Sequence, residues 1–183
     1  MEFEVIRSNR KSMAIEIKGN KLIIRAPVQA TNEDINSCIL KNKTWIEKNL
    51  AKAQVQQMAA ASVKKLTMDE IRSLADKALE IIPDRVKHYA PLIGVTYGRI
   101  TIRNQRSKWG SCSSKGNLNF NCLLMLAPPE VIDSVVVHEL CHRKEMNHSD
   151  RFYAEVLRVF PEYYKWDKWL KENGPVIMSL LPE

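Results

Sequence analysis

The chain has 183 residues, of which 45% are hydrophobic and 27% are charged. This length and apolar content suffice for one domain, or one domain with a small additional unit, and they exclude a disordered chain. Lysine and arginine exceed aspartate and glutamate by seven, 28 against 21, a balance that is compatible with nucleic-acid binding. The basic residues are scattered along the sequence, however, which favours a solvated surface over a dedicated nucleic-acid patch.

The sequence predicts no membrane segment, because no apolar run approaches the ~18 residues of a membrane span. The N-terminal sequence MEFEVIRSNRK also lacks the apolar core of a signal peptide. We therefore expect a cytoplasmic protein with reduced thiols rather than disulfides, and the absence of CxxC spacing argues against a four-cysteine zinc site. The cysteines are Cys38, Cys112, Cys122 and Cys141.

The N-terminal part of the chain alternates apolar and polar residues between positions 3 and 26, which predicts strands with a hairpin turn at Gly19 and Asn20. Thr31 and Asp34 then have capping-box spacing and predict a helix, which the alanine-rich stretch up to Ala61 can continue. Its expected apolar face consists of Ile35, Ile39, Trp45 and Ile46. Residues 1–65 are therefore predicted to form an N-terminal β-hairpin followed by a helical connector.

The central part begins with a second capping box, Thr67 with Glu70, which opens a helix that Pro83 is expected to kink or end. The period returns towards two from Val95 onwards. GRITIR and NLNFNCLLML are predicted to be strands, and the intervening RSKWGSCSSKG is predicted to be a loop. Residues 66–183 are thus expected to be an α+β domain with a small antiparallel sheet.

Three helices are predicted at the C-terminal end. The first begins at Pro128 and Pro129 and carries the apolar residues of EVIDSVVVHELC. The second is capped by Ser149 and ends before Pro161, and the third is the amphipathic segment around EYYKWDKWLKENG. The chemistry-bearing residues lie on the first of these helices and in the segment that follows it.

Three of the four histidines fall within one segment, HELCHRKEMNH. On a helix, His138 and His142 project from the same face one turn apart and can ligate one metal ion. Glu139 lies beside that face, where its carboxylate can reach the attacking water without being a ligand, as in HExxH zinc metalloproteases. This is the zincin-like active helix of the predicted fold.

His148 is the expected third ligand, because the chain can leave the helix, turn and return within six residues. Three ligands leave an open fourth position, which is typical of a catalytic zinc site. Glu145 occupies the position where proteases with this spacing have a turn glycine, so Asn147 is the best candidate for a left-handed turn. Glu145 and Glu155 are weaker alternatives as ligands.

The chain resembles the YgjP-like metallopeptidase family, which is related in motif to the SprT and WLM groups of zinc proteases. The resemblance covers nearly the whole length and is carried by RSNRKSMAIEIKGNKLIIRAP, KTWIEKNL, RSKWGSCSSKGNLNFNCLLMLAPPEVIDSVVVHELCH and NHSDRF. It implies that His138, His142 and His148 are zinc ligands and that Glu139 is the catalytic acid. Cys141 stands where the family more often has a small residue such as alanine.

The sequence therefore predicts a metallopeptidase with one Zn²⁺ per chain and a protein or peptide substrate. Candidate contacts to the substrate or the transition state, chosen by residue type and by their place in the chain, are Arg106, Lys108, Trp109 and Tyr153, with Tyr163 and Tyr164 as further possible donors. An edge strand formed by NLNFNCL would let an extended substrate add to the sheet. The alternatives are a zinc hydrolase of a non-peptide substrate, or a basic nucleic-acid-associated protein whose protease domain acts on DNA-bound proteins. The sequence does not define an oligomeric state.

Overall fold

The computed structural model describes residues 3–19, 21–61 and 64–182. The chain divides into two compact units, Met1–Val63 and Lys64–Glu183. Each has its own hydrophobic core and its own three-stranded sheet among the described residues. The sequence places a domain boundary after residue 65, and the separation into two domains stays a prediction.

The first unit contains a sheet of β1 (Phe3–Ser8), β2 (Ala14–Lys18) and β3 (Lys21–Pro27), in the order β1-β3-β2. β2 and β3 pair antiparallel, as the alternating pattern predicts, whereas β1 pairs parallel to β3. Gly19 lies in the turn between β2 and β3 with a φ of 59°, while Asn20 lies outside the described residues. The inward-facing side chains of β3 form the centre of the first core.

The helical part of the first unit is two helices, α1 (Asn32–Lys41) and α2 (Lys43–Ala61). The capping box of Thr31 and Asp34 is present, but the prediction of one continuous helix is wrong. Asn42 ends α1, since its side-chain amide donates to the carbonyl oxygen of Cys38 at 2.8 Å and so competes with the backbone pattern.

The break between α1 and α2 changes which side chains face the core. Ile46 is fully buried, as predicted, whereas Trp45 is 48% exposed. The prediction that Trp45 belongs to the buried apolar face is therefore wrong. Because the helix is interrupted at Asn42, the buried face of α2 is not a continuation of that of α1.

The second unit begins with α3 (Met68–Ile93), whose capping box at Thr67 and Glu70 is present as predicted. The helix continues through Pro83 and Pro91 to a left-handed Gly94, so the expected end or kink at Pro83 does not define its boundary. A proline removes one backbone hydrogen bond, and here the buried side chains on both sides of Pro83 hold the helix against the core. These are Ala78, Ile82, Val86 and Ala90.

The sheet of the second unit contains β4 (Ile100–Arg103), β5 (Gly110–Cys112) and β6 (Leu118–Asn121), in the order β4-β6-β5. β4 pairs parallel and β5 antiparallel with β6. The α+β fold class is confirmed, but both sheets are mixed rather than purely antiparallel. In each sheet the second and third strands form an antiparallel pair, which leaves one edge of the third strand free. The first strand pairs with that edge in the parallel direction.

Two local predictions about this sheet are wrong. The predicted loop RSKWGSCSSKG contains β5, and the predicted long strand NLNFNCLLML ends at Asn121, where a short 3₁₀ helix (Cys122–Leu126) begins. β6 is therefore the central strand, and β5 is the edge strand on that side of the sheet.

Three helices complete the second unit: α4 (Pro129–Cys141), α5 (Asp150–Val159) and α6 (Tyr163–Ser179). Ser149 caps α5 as predicted, accepting from the backbone N–H of Phe152. α4 is buried along most of its length and packs against α3, β5, α5 and α6. Among the helices that the structure describes, none combines the length and apolar character needed to cross a membrane.

Candidate metal centre

The three clustered histidines converge at the end of α4. His138 lies in the last turn of α4, His142 caps its C-terminus, and His148 lies in the segment that leads to α5. The Nε2 atom of His138 is 3.2 Å from that of His142 and 3.0 Å from that of His148. The possible ligand atoms of the three residues all lie within 4.8 Å of one another.

The spacing of these nitrogens fits a single small metal ion. Tetrahedral zinc with Zn–N distances of about 2.0–2.1 Å places its imidazole nitrogens about 3.4 Å apart. The two closest Nε2 separations, 3.2 and 3.0 Å, are near that value. Three imidazoles without a fourth side chain are a donor set for a divalent ion with an open coordination position.

Hydrogen bonds at the opposite ring nitrogens favour this use of Nε2. His142 Nδ1 donates to the carbonyl oxygen of Glu145 at 3.0 Å, and His138 Nδ1 lies 2.8 Å from the hydroxyl oxygen of Tyr163. A proton on Nδ1 leaves the Nε2 lone pair free for a metal. Phe152, fully buried, stacks on His142 with ring centroids 4.6 Å apart and contacts the other two imidazoles edge-on.

Burial favours the neutral form of His138 and His142. Desolvation, together with the neighbouring His142 and His148, lowers the pKa of His138 to about 3. The pKa of His142 is also lowered, mainly by desolvation, and its hydrogen bond to the Glu145 carbonyl partly opposes this. Metal binding requires neutral imidazole, so neither ring has to lose a proton at neutral pH.

The path from His142 to His148 differs from the predicted turn. No residue other than glycine has a positive φ anywhere in the described ranges, so Asn147 is not left-handed. The chain instead turns immediately after His142, where the N–H groups of Lys144 and Glu145 both donate to the carbonyl oxygen of Cys141. Glu145 therefore contributes its backbone carbonyl to His142, and no glycine is needed at its position.

The weaker alternative ligands, Glu145 and Glu155, do not belong to the cluster. The Glu155 carboxylate accepts from Lys144 at 2.6 Å and from Arg158 at 2.7 Å. Within residues 3–19, 21–61 and 64–182, the group of side chains that could hold a metal ion contains the three histidines and neither Glu145 nor Glu155.

Glu139 is buried beside the cluster, with 6% of the residue exposed. Burial raises the pKa of its carboxyl group to about 8, and the charge of Lys108 opposes this. Glu139 and His138 line the same cavity of about 260 Å³, together with Lys108, Trp109, Tyr163 and Asp167. The cavity thus joins a possible metal ligand, a buried carboxyl group and a basic side chain.

The family model described as "YgjP-like, metallopeptidase domain" matches residues 62–173, more than half of the chain. The chain belongs to the YgjP-like family. This confirms the resemblance over residues 62–173 and identifies that segment as a metallopeptidase domain, while the N-terminal part of the resemblance lies outside the match.

Two solved structures of metallopeptidases are similar to part of the YgjP-like chain. One is the metallopeptidase zymogen abylysin of Pyrococcus abyssi, with 25% identity and a TM-score of 0.45, covering 50% of this chain and 94% of that one. The other is the metallopeptidase zymogen jannalysin of Methanocaldococcus jannaschii, with 22% identity and a TM-score of 0.45, covering 50% and 95%. No curated protein matches the sequence significantly.

The predicted substrate contacts of the YgjP-like domain are distributed unevenly around the cavity. Lys108 and Trp109 line it with Glu139. Arg106 instead donates to the carbonyl oxygen of Pro182 and lines a neighbouring cavity. Tyr153 packs near His148, with ring centroids 6.2 Å apart.

The tyrosines named as possible donors also differ in position. Tyr163 is buried and pairs with His138, so it acts on a possible ligand, whereas Tyr164 is 54% exposed. The sequence supplied both only by residue type.

Sequence reasoning missed Asn121, which organises one wall of the cavity. Its side chain is fully buried and donates to the carbonyl oxygens of Gln105 and Lys108 at 2.6 and 2.9 Å, while its own oxygen accepts from the N–H of Leu123. A polar residue inside the apolar run LNFNCLLML was the available signal, because a buried amide needs several hydrogen-bond partners. Sequence reasoning also missed the close approach of Gly110 to Glu139.

Proposed function

We propose that this metallopeptidase hydrolyses peptide bonds with one zinc ion, held by His138, His142 and His148, and that Glu139 is the general base. The observation that carries the proposal is the convergence of three Nε2 atoms at the edge of the cavity that also contains the Glu139 carboxylate. Zinc fits three neutral imidazoles and an open fourth position.

Each of the chain's own groups has a defined task in this proposal. A bound Zn²⁺ supplies Lewis acidity, which lowers the pKa of water and polarises a carbonyl group. The positive charge of a bound ion would oppose the effect of burial on the Glu139 carboxyl pKa, so that Glu139 can accept a proton from the attacking water and later deliver it to the leaving amine. Lys108 lines the same cavity, and its ammonium group can stabilise negative charge that develops on the carbonyl oxygen.

The proposed substrate is an extended peptide segment lying along β5. Since β6 is central, β5 is the edge strand beside α4, and its free backbone groups can pair with an added strand. Recognition through the main chain would tolerate many substrate sequences. This moves the expected docking edge from β6 to β5 without changing its chemistry.

The first test compares purified native protein with Glu139→Gln and His148→Ala. We expect about one zinc per native chain. Glu139→Gln should keep the zinc and lose ~10³-fold or more of kcat on quenched fluorescent peptides, because the base is gone while the ligands remain. His148→Ala should lose zinc affinity. Full activity in Glu139→Gln would exclude the proposed base, and unchanged zinc affinity in His148→Ala would exclude the third ligand.

His88→Ala is the matched control for metal binding. His88 is the fourth histidine, it is exposed on α3, and it lies outside the cluster. We expect its zinc content and kcat to equal those of the native chain. Trapping cellular substrates with Glu139→Gln and identifying them by mass spectrometry then tests the substrate class, and a trapped set without peptides or proteins would overturn peptide hydrolysis.

A further inference from the structure

Gly110, the first residue of β5, lies directly against the carboxylate of Glu139. A Cβ atom at position 110 would be 2.6 Å from Glu139 Oε1, 2.7 Å from Cγ and 2.9 Å from Cδ. Carbon atoms in normal contact are about 3.5–4.0 Å apart. The edge strand can therefore approach the Glu139 side chain this closely only because residue 110 has no side chain.

Backbone conformation does not explain the glycine at this position. The glycines with positive φ are Gly19, Gly94 and Gly116, and Gly110 is an ordinary strand residue paired with Phe120. An alanine could adopt the same backbone. Residue 110 must therefore be small in order to leave space beside Glu139. Cys112, which lies two residues further along on the same face of β5, is only half-buried.

Packing is the main constraint on the Glu139 carboxylate. Across the part of the chain that the structure describes, no hydrogen bond to this carboxylate is formed by a side chain or by the backbone. The residue is nevertheless only 6% exposed. On the β5 side, Gly110 comes so close that a Cβ atom there would overlap the Glu139 side chain, so the direction of the carboxylate depends on how closely that strand approaches.

We propose that Gly110 is a positioning residue, whose missing side chain holds the Glu139 carboxylate in the direction that proton transfer needs. This inference rests on the proposed role of Glu139. A carboxylate that is displaced by about 1 Å loses reactivity even when its chemistry is intact. The three atoms nearest to a Cβ at position 110 all belong to Glu139 and none to a histidine, so we expect metal binding not to depend on Gly110.

The variant Gly110→Ala tests the inference on the full chain loaded with zinc. We expect kcat on a quenched fluorescent peptide to fall 10-fold to 100-fold, with KM within about twofold and one zinc retained per chain. A kcat within about twofold of the native value would overturn the proposal. A parallel loss of zinc would overturn it as well, because the effect would then reach the ligands.

Gly98→Ala is the matched control. A Cβ at Gly98 would also be crowded by a side chain, at 2.5 Å from Asn117 Oδ1, but Gly98 does not line the Glu139 cavity. We expect Gly98→Ala to keep kcat within about twofold. If it lost as much kcat as Gly110→Ala, crowding anywhere near the sheet would explain both results and the specific role would be wrong.

A stability measurement tests the contact without using activity. Gly110→Ala should lower Tm in the native background and should have no such effect in the Glu139→Ala background, where the crowded side chain is absent. This comparison remains possible if Gly110→Ala alone does not fold, because the double variant should fold. An equal loss of Tm in both backgrounds would overturn the contact, whereas activity retained by Glu139→Gln would instead overturn the proposed function.

Discussion

The two units build the same sheet but bury different side chains. In both, the third strand is central, the first strand is parallel to it and the second is antiparallel. The described core of the first unit contains only apolar residues: Leu22, Ile23, Ile24, Ala26, Ile35 and Ile46. The second unit also buries five polar residues: Asn121, Asp133, Ser134, Glu139 and His142. Since buried polar groups cost free energy unless they are paired, this difference separates a packing role from a chemical one.

Four of those five polar side chains have partners. Asp133 accepts hydrogen bonds from Arg85, and His142 donates one to the Glu145 carbonyl oxygen. Asn121 forms hydrogen bonds with three backbone groups. Ser134 donates to the carbonyl oxygen of Val131. Glu139 is the member for which the described residues supply no hydrogen bond, and it lines the cavity next to the histidine cluster. A carboxyl group that opens into a cavity instead of pairing with the protein is free to act on a bound molecule, as the proposed proton transfer requires.

The comparison predicts that the largest stability loss comes from cavities in an apolar core, without an effect on chemistry. Ile46 is fully buried in the first unit, and Ile46→Ala should lower the free energy of unfolding by about 2–5 kcal/mol. We expect kcat of the folded variant and its zinc content to stay unchanged, because every residue of the proposed site belongs to 64–182. Urea denaturation and a peptide assay measure the two quantities.

Ile46→Val is the control for this prediction, with an expected loss of about 0.5–1.5 kcal/mol. A fall in kcat of tenfold or more in folded Ile46→Ala would break the separation between the two regions.

A smaller loss is expected from the buried ion pair that anchors the active helix. Both carboxylate oxygens of Asp133 on α4 accept from Arg85 Nη1 on α3, at 2.9 and 2.7 Å, and the Asp133 side chain is 11% exposed. Asp133→Asn should cost about 1–3 kcal/mol, because a charged hydrogen-bonded pair becomes a weaker neutral one. The Arg85 side chain is 36% exposed and can regain water, which keeps the loss below that of a fully buried pair.

Glu162→Gln gives the matched exposed case. The Glu162–Lys165 pair is about as short, at 2.8 Å, but both side chains are about 60% exposed, so its loss should stay below about 1 kcal/mol. Equal effects of the two substitutions in urea denaturation would show that burial of Asp133 contributes nothing.

Local patterns in the sequence predict much of the molecule, and contacts between distant segments account for what they miss. Capping boxes place the starts of α1 and α3, and the spacing of His138, His142 and His148 predicts a cluster that the structure brings together. The closeness of Gly110 to Glu139 joins residues 29 positions apart, and no periodicity encodes it. The order of strands is equally non-local, so β6 was mistaken for the edge.

The turn between the ligands was predicted incorrectly for a related reason. The sequence pointed to a left-handed Asn147, but the chain between His142 and His148 is held by side chains from outside the turn. Lys144 binds Glu155 on α5, and Arg158 binds both Glu155 and the carbonyl oxygen of Leu92 on α3. Tertiary contacts therefore supply what a turn residue would otherwise provide.

The smallest predicted effect concerns this Glu155 network and depends on pH. The hydrogen bond from Arg158 lowers the pKa of Glu155 from 4.5 to about 2, with burial opposing the change and Lys144 adding to it. Because the folded-state pKa lies below the ordinary value, the stabilisation is complete above about pH 4.5 and is lost as the pH falls towards 2. Glu155→Gln should therefore cost roughly 1 kcal/mol or less at pH 7, and the difference should shrink to near zero at pH 2. Both proteins are measured without zinc, so that loss of the metal in acid does not enter the difference in unfolding free energy. A difference that stays constant with pH would mean that Glu155 holds the turn by packing and not by its charge.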